Sequence, residues 1–132
     1  MKATTLSIFV LVVLIGGIFL FSGGSKKQTS KAVQVQNSNV SIVGGKQIIT
    51  INAKGGYSPR TTAAKADIPT VIRMNTQGTF DCSSAFTIPT LGINRNLPPS
   101  GQTEIEIPAQ KSGTNLRGLC AMGMYNFSID FN

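Results

Sequence analysis

The sequence predicts an all-β body, an antiparallel sandwich or barrel, preceded by one N-terminal hydrophobic helix. Three observations lead there. Short runs rich in Ile, Val and Thr recur between turn-forming clusters from Gly45 onward, at the spacing of sandwiches and barrels. No part of that body carries a sustained helical repeat of apolar residues. Tyr125, Phe127, Ile129 and Phe131 alternate with Asn126, Ser128 and Asp130, which is the period of a strand with one buried face.

In chain order, the first element is apolar. No charge occurs from Ala3 to Ser25, and Leu6 to Phe21 is broken only by Ser7 and Gly16-Gly17. At about 1.5 Å per helical residue this stretch reaches the roughly 30 Å of a bilayer core. Residues 1–25 are therefore expected to be a membrane anchor or a cleaved signal peptide. The apolar run exceeds the usual signal-peptide length and no A-x-A site follows it, which favours the retained anchor. Both alternatives send the body across the membrane. Lys26, Lys27 and Lys31 after the span outnumber Lys2 before it, against an N-inside orientation; the sulfur chemistry and the β-rich body are what place the domain outside. Residues 26–44 form a stem, small and polar over Gly23 to Ser30. Val33, Val35, Val40, Ile42 and Val43 begin short alternating runs around Asn37-Ser38-Asn39, where the first edge strands are expected.

Residues 45–132 make up the domain. Strands are expected at Gln47 to Ala53, Thr70 to Asn75, Ala85 to Ile88, Thr103 to Ile107 and Tyr125 to Phe131. Lys54-Gly55-Gly56, Leu97-Pro98-Pro99-Ser100-Gly101 and Lys111-Ser112-Gly113 are the turns between them. Ala63-Ala64-Lys65-Ala66 has room for one helical turn.

Composition narrows the function. The 132 residues contain no histidine and only five carboxylates, Asp67, Asp81, Glu104, Glu106 and Asp130, so general-base and triad chemistry lack candidates and the protein is expected not to be an enzyme. The net charge of +7 owes much to Lys2, Lys26, Lys27 and Lys31; from Gly45 onward eight basic side chains face five acidic ones without a basic run. That is not the footprint of a nucleic-acid-binding protein.

Chemistry concentrates in Leu119-Cys120-Ala121-Met122-Gly123-Met124-Tyr125, which holds one thiol and two thioethers at alternate positions. In an extended segment Cys120, Met122 and Met124 would share a face, although Gly123 marks a bend. If the Tyr125 to Phe131 strand turns its aromatics inward, the methionines fall on the opposite parity from the core. Thiolate and thioether are soft donors that favour Cu(I), with zinc and iron-sulfur clusters competing for thiolate. The other reading is a Cys82–Cys120 disulfide with methionines as core filler; closing that loop would contribute about 3 to 4 kcal/mol on the chain-entropy model. Met74, in an expected strand, reads as core, and Tyr57 and Phe80 either as core, the commoner place for an aromatic, or as shields between a site and water.

With these residues in view, the stretch from about Gln47 to Asn132 resembles cupredoxin-like domains. The resemblance is carried by Ile49-Thr50-Ile51, Gly56-Tyr57-Ser58-Pro59, Cys82 after the central strand, Leu97-Pro98-Pro99, Thr103 to Ile107, and the closing Cys120-x-Met122-Gly123-Met124-Tyr125. It implies a Greek-key β-sandwich with a metal at one end. Cys82 then stands where an ordinary cupredoxin has its first histidine, Cys120 matches the ligand cysteine of the C-terminal loop, and Met122 or Met124 stands in for the later ligands. The departure is as informative: with no histidine, a blue-copper His₂Cys site cannot be built from this chain.

The expectation is an extracytoplasmic, membrane-anchored domain that holds Cu(I) through Cys82, Cys120, Met122 and Met124, for copper handling, delivery or sequestration. Its expected partners are the copper ion, the membrane and a copper transporter or acceptor protein. The alternative is a disulfide-stabilised β-sandwich serving as a structural or protein-interaction module without metal.

Overall fold

The computed structural model describes residues 39–132, which form a sandwich of two five-stranded sheets. The expected anchor at 1–25, and Val33 and Val35 in the stem, lie outside the described residues; among the described residues no helix is long and apolar enough to cross a membrane.

The first sheet is built on β1 (Val40–Val43), β2 (Lys46–Ala53), β5 (Thr70–Gln77) and β8 (Ser100–Ile107), in that order, with the short β3 (Tyr57–Ser58) also on β2. β1 is the edge strand expected in the stem. The second sheet runs β4 (Thr61–Ala64), β10 (Asn126–Phe131), β9 (Asn115–Cys120), β6 (Ala85–Ile88), β7 (Ile93–Asn96). Period-2 alternation decides which face is buried. In β2 the residues Ile49, Ile51 and Ala53 are buried, and the parallel register places Ile49 beside Ile72 and Ile51 beside Met74. Ile105 of β8 sits opposite Ile72 and completes the inner row. From the other sheet Phe127, Ile129 and Phe131 of β10 point into the same core. Outside, Arg73 pairs with Glu104 across β5 and β8 at 2.7 Å.

The five strands read from the sequence are all present, with β8 starting at Ser100 inside the expected turn. One expectation is overturned. Thr61–Ala64 is not the start of a helical turn but a strand, β4, hydrogen-bonded in parallel to β10 with Thr62 beside Ile129 and Ala64 beside Phe131. The alanines favour a helix locally, but parallel pairing with β10 overrides a propensity of tenths of a kcal/mol. Met74 is fully buried, as expected of a core residue.

Candidate metal centre

Strand register brings the two cysteines together. β6 begins shortly after Cys82 and pairs with the end of β9, Phe86 opposite Cys120. A hydrogen bond from the Ala121 amide to the Ala85 carbonyl, at 2.8 Å, extends that pairing by one step. Cys82 itself opens a single 3₁₀ turn, Cys82–Ser84, between β5 and β6. The two thiols are free, and they lie near enough for each to shift the ionisation of the other.

The 3₁₀ turn is held from three sides. Asp81 caps it: one carboxylate oxygen accepts from the Ser83 amide at 2.8 Å and from the Ser83 hydroxyl, and the other accepts from the Gly55 amide at 2.9 Å. These bonds hold the Asp81 carboxyl below its ordinary value. The Tyr57 hydroxyl donates to the Ser83 carbonyl at 3.2 Å, and the Leu97 amide donates to the Ser84 carbonyl at 2.8 Å. Tyr57 is buried, with its ring edge-on to Phe127 at a centroid distance of 5.2 Å. Burial first, then the neighbouring Cys120, Cys82 and Asp81, raise its phenol well above the ordinary range, so it stays neutral.

Cys120 is the last residue of β9, and the segment after it is a turn. The Gly123 amide donates to the Cys120 carbonyl at 2.8 Å, and Gly123 has φ of 71°, a left-handed conformation that glycine adopts without strain. The Cys120 amide donates to the Tyr125 carbonyl at 2.9 Å, which closes the hairpin. Cys120, Met122 and Met124 therefore do not share one face of an extended strand. Cys120 is 1% exposed, whereas Met122 and Met124 are 76% and 65% exposed on the turn beside it. The turn directs amides at sulfur: the Tyr125 amide donates to Cys120 Sγ at 3.3 Å. Burial pushes the Cys120 thiol up, but hydrogen bonds from the Cys82 thiol and from the Tyr125, Met122 and Met124 amides outweigh it and hold the thiol below its ordinary value. Cys82 is held above it, chiefly because its proton is donated to Cys120, with burial adding. The turn amides thus favour the thiolate form at Cys120.

Of the expected shields, Tyr57 adjoins the thiols from inside, but Phe80 is 85% exposed and covers nothing. It sits at the outer tip of the loop because Asp81, next to it, is drawn inward by the Gly55 and Ser83 amides. The sequence offers Asp81 either a hydrogen bond to a backbone amide in the loop or a place in water, with no catalytic role, and the structure has the first, since an acceptor side chain followed by a tight turn is a cap pattern. Among the described residues no three His, Cys, Asp or Glu side chains cluster, so any site here needs the thioethers to go beyond two ligands.

The sandwich resembles two solved structures. One is the metal binding domain of the Streptococcus pneumoniae D39 Cu(I) exporting P-type ATPase CopA, with Cu(I): TM-score 0.62 and 23% identity, over 70% of this chain and 92% of that one. The other is a copper binding protein in the apo form, with TM-score 0.64 and 22% identity, over 70% of this chain and 94% of that one. At such identities the likeness is one of fold. No curated protein matches the chain. The model of the cupredoxin-like domain matches residues 11–131, nearly the whole sequence. With its two facing sheets and the Cys120 hairpin before the last strand, the chain belongs to the family of cupredoxin-like domains.

Proposed function

We propose that this protein binds Cu(I) outside the cytoplasm, tethered by residues 1–25, and serves copper handling, delivery or sequestration without catalytic turnover. The observation that carries the proposal is the convergence of two free thiols, Cys82 just before β6 and Cys120 at the end of the β9 strand paired with it, beside the exposed thioethers of Met122 and Met124, in a chain without histidine. Two thiolates and one or two thioethers fit the soft, filled-shell cuprous ion and not a coloured cupric site. Cys120 supplies a thiol already biased toward thiolate, and the turn amides that bias it also orient its sulfur. Both solved structures of similar fold are, by their names, copper proteins, which supports the reading. A copper transporter or acceptor protein is the natural recipient, since the methionines face solvent and leave the metal reachable.

Titration of the reduced protein with Cu(I) against a chromophoric chelator tests this. About one ion per chain is expected, without a blue-copper band. Cys82→Ser and Cys120→Ser should each lose most of the affinity, because each removes a charged ligand. Met122→Leu and Met124→Leu, near-isosteric changes, should weaken binding less, and the double variant more than either. Copper binding unchanged by either cysteine substitution defeats the assignment.

The same convergence of two free thiols favours a second reading, a disulfide that staples the sandwich. It predicts loss of both free thiols in air, lower thermal stability of either cysteine variant under oxidising conditions, and copper at background in all forms.

A further inference from the structure

A cavity of about 390 Å³ opens beside the turn that carries Met124, between Lys54, Gly56, Tyr57, Arg60, Met124 and Tyr125. This is within the size range of small-ligand sites. Its charge is unbalanced. The ion pairs among the described residues join Lys46 to Glu106 and Arg73 to Glu104, and neither Lys54 nor Arg60 takes part in one. The carboxylate of the adjoining loop, Asp81, has both oxygens on Gly55 and Ser83. The cavity is thus lined by Arg60 and by Lys54, whose flexible side chain sets its ammonium near Gly78, neither in an ion pair, next to a thioether that is 65% exposed.

We propose that this cavity receives a low-molecular-weight thiol bearing carboxylates, in its complex with Cu(I), and so is the loading dock of the copper site; the inference rests on the copper reading above. Lys54 and Arg60 grip the carboxylates by charge-assisted contacts, while Met124 is the first protein sulfur to reach the metal. Loading is then a ligand exchange with no change of oxidation state. A copper–sulfur bond to Cys120 or Cys82 forms as the bond to the small thiolate breaks, and the protein thiol's proton leaves with the departing thiol. The cavity selects the carrier by its negative charge, a property the bare cuprous ion lacks.

Loading of the full chain in detergent would be timed from two donors, Cu(I)–glutathione and the cationic Cu(I)–acetonitrile complex. The Lys54→Gln/Arg60→Gln variant should load about fivefold more slowly from the glutathione complex, the effect expected of two exposed ion pairs, with unchanged loading from acetonitrile and unchanged final copper content. Added salt should slow the wild type from glutathione alone. Loading slowed equally from both donors, or from neither, overturns this inference and leaves copper binding intact. Absence of loading from either donor overturns the copper reading and this inference with it.

Discussion

Both carboxylate oxygens of Asp81 are tied to the Ser83 and Gly55 amides, so a side chain that bonds no metal fixes where the Cys82 sulfur stands. Asp81→Ala should remove a cap worth about 1 kcal/mol and lower Cu(I) affinity about tenfold, as loss of an orienting partner does. Asp81→Asn keeps one oxygen acceptor for the Ser83 amide but sets an NH2 donor against the Gly55 amide, so it should retain only part of both; thermal melts and chelator competition on the two variants check this. The carboxyl is depressed in the folded state, so its contribution is present above the unfolded value near about pH 4 and is lost as pH falls through the lower folded value. Acid titration of the apo protein should show that loss, and Asp81→Asn should flatten it. At this scale the sequence was half legible. The sulfur of Cys120, Met122 and Met124 could be read as a cluster from their spacing, but the amide aimed at Cys120 Sγ belongs to a turn whose geometry no residue type states.

Among the elements, those with a strong apolar period could be read directly: β2, β5, β6, β8 and β10 each show buried residues at alternate positions. β9 could not. Gly118 occupies one of its inward positions, so the alternation of Leu116 and Cys120 is interrupted by a residue with no side chain. The reason lies across the sheet, where Gly118 pairs with Phe127 and a Cβ would come within 2.2 Å of that ring. The glycine makes room for the aromatic that packs beneath Tyr57. Gly118→Ala should therefore cost about 1 to 3 kcal/mol by overpacking, measured by urea denaturation, and disturb the Tyr57–Ser83 contact. Restoration by the compensating Phe127→Leu would confirm the cause. β4 and β7 share the difficulty of β9: their sequences, Thr61-Thr62-Ala63-Ala64 and Ile93-Asn94-Arg95-Asn96, carry little period and are ordered by the strands beside them.

For the whole molecule, the core is complete within the described residues: both inner faces are covered by aliphatic and aromatic side chains of β2, β5, β6, β8, β9 and β10. A fragment spanning residues 39–132 should consequently fold alone and give a strand-dominated far-ultraviolet dichroism spectrum; a helical spectrum would contradict it. Binding of Cu(I) to the folded state only should raise stability by about 2.7 kcal/mol at a hundredfold excess over Kd. For a domain of this size that is about 10 to 20 °C in Tm, and a chelator should reverse it. The two-sheet body was legible because its apolar periods are regular. The partition of strands between sheets was not, because it depends on pairings such as β2 with β5 and β4 with β10, which join segments far apart in sequence.

The place of β10 has a temporal consequence. It is the last strand of the domain to be synthesised, yet it lies inside its sheet, between β4 and β9. Chains emerge N-terminal end first. Until β10 arrives, β4 lacks its neighbour and the Cys120 hairpin cannot close on Tyr125. The nascent chain therefore presents Cys82 before Cys120 is set in its hairpin, and the two thiols reach their final arrangement only once the last strand of the sandwich has been made.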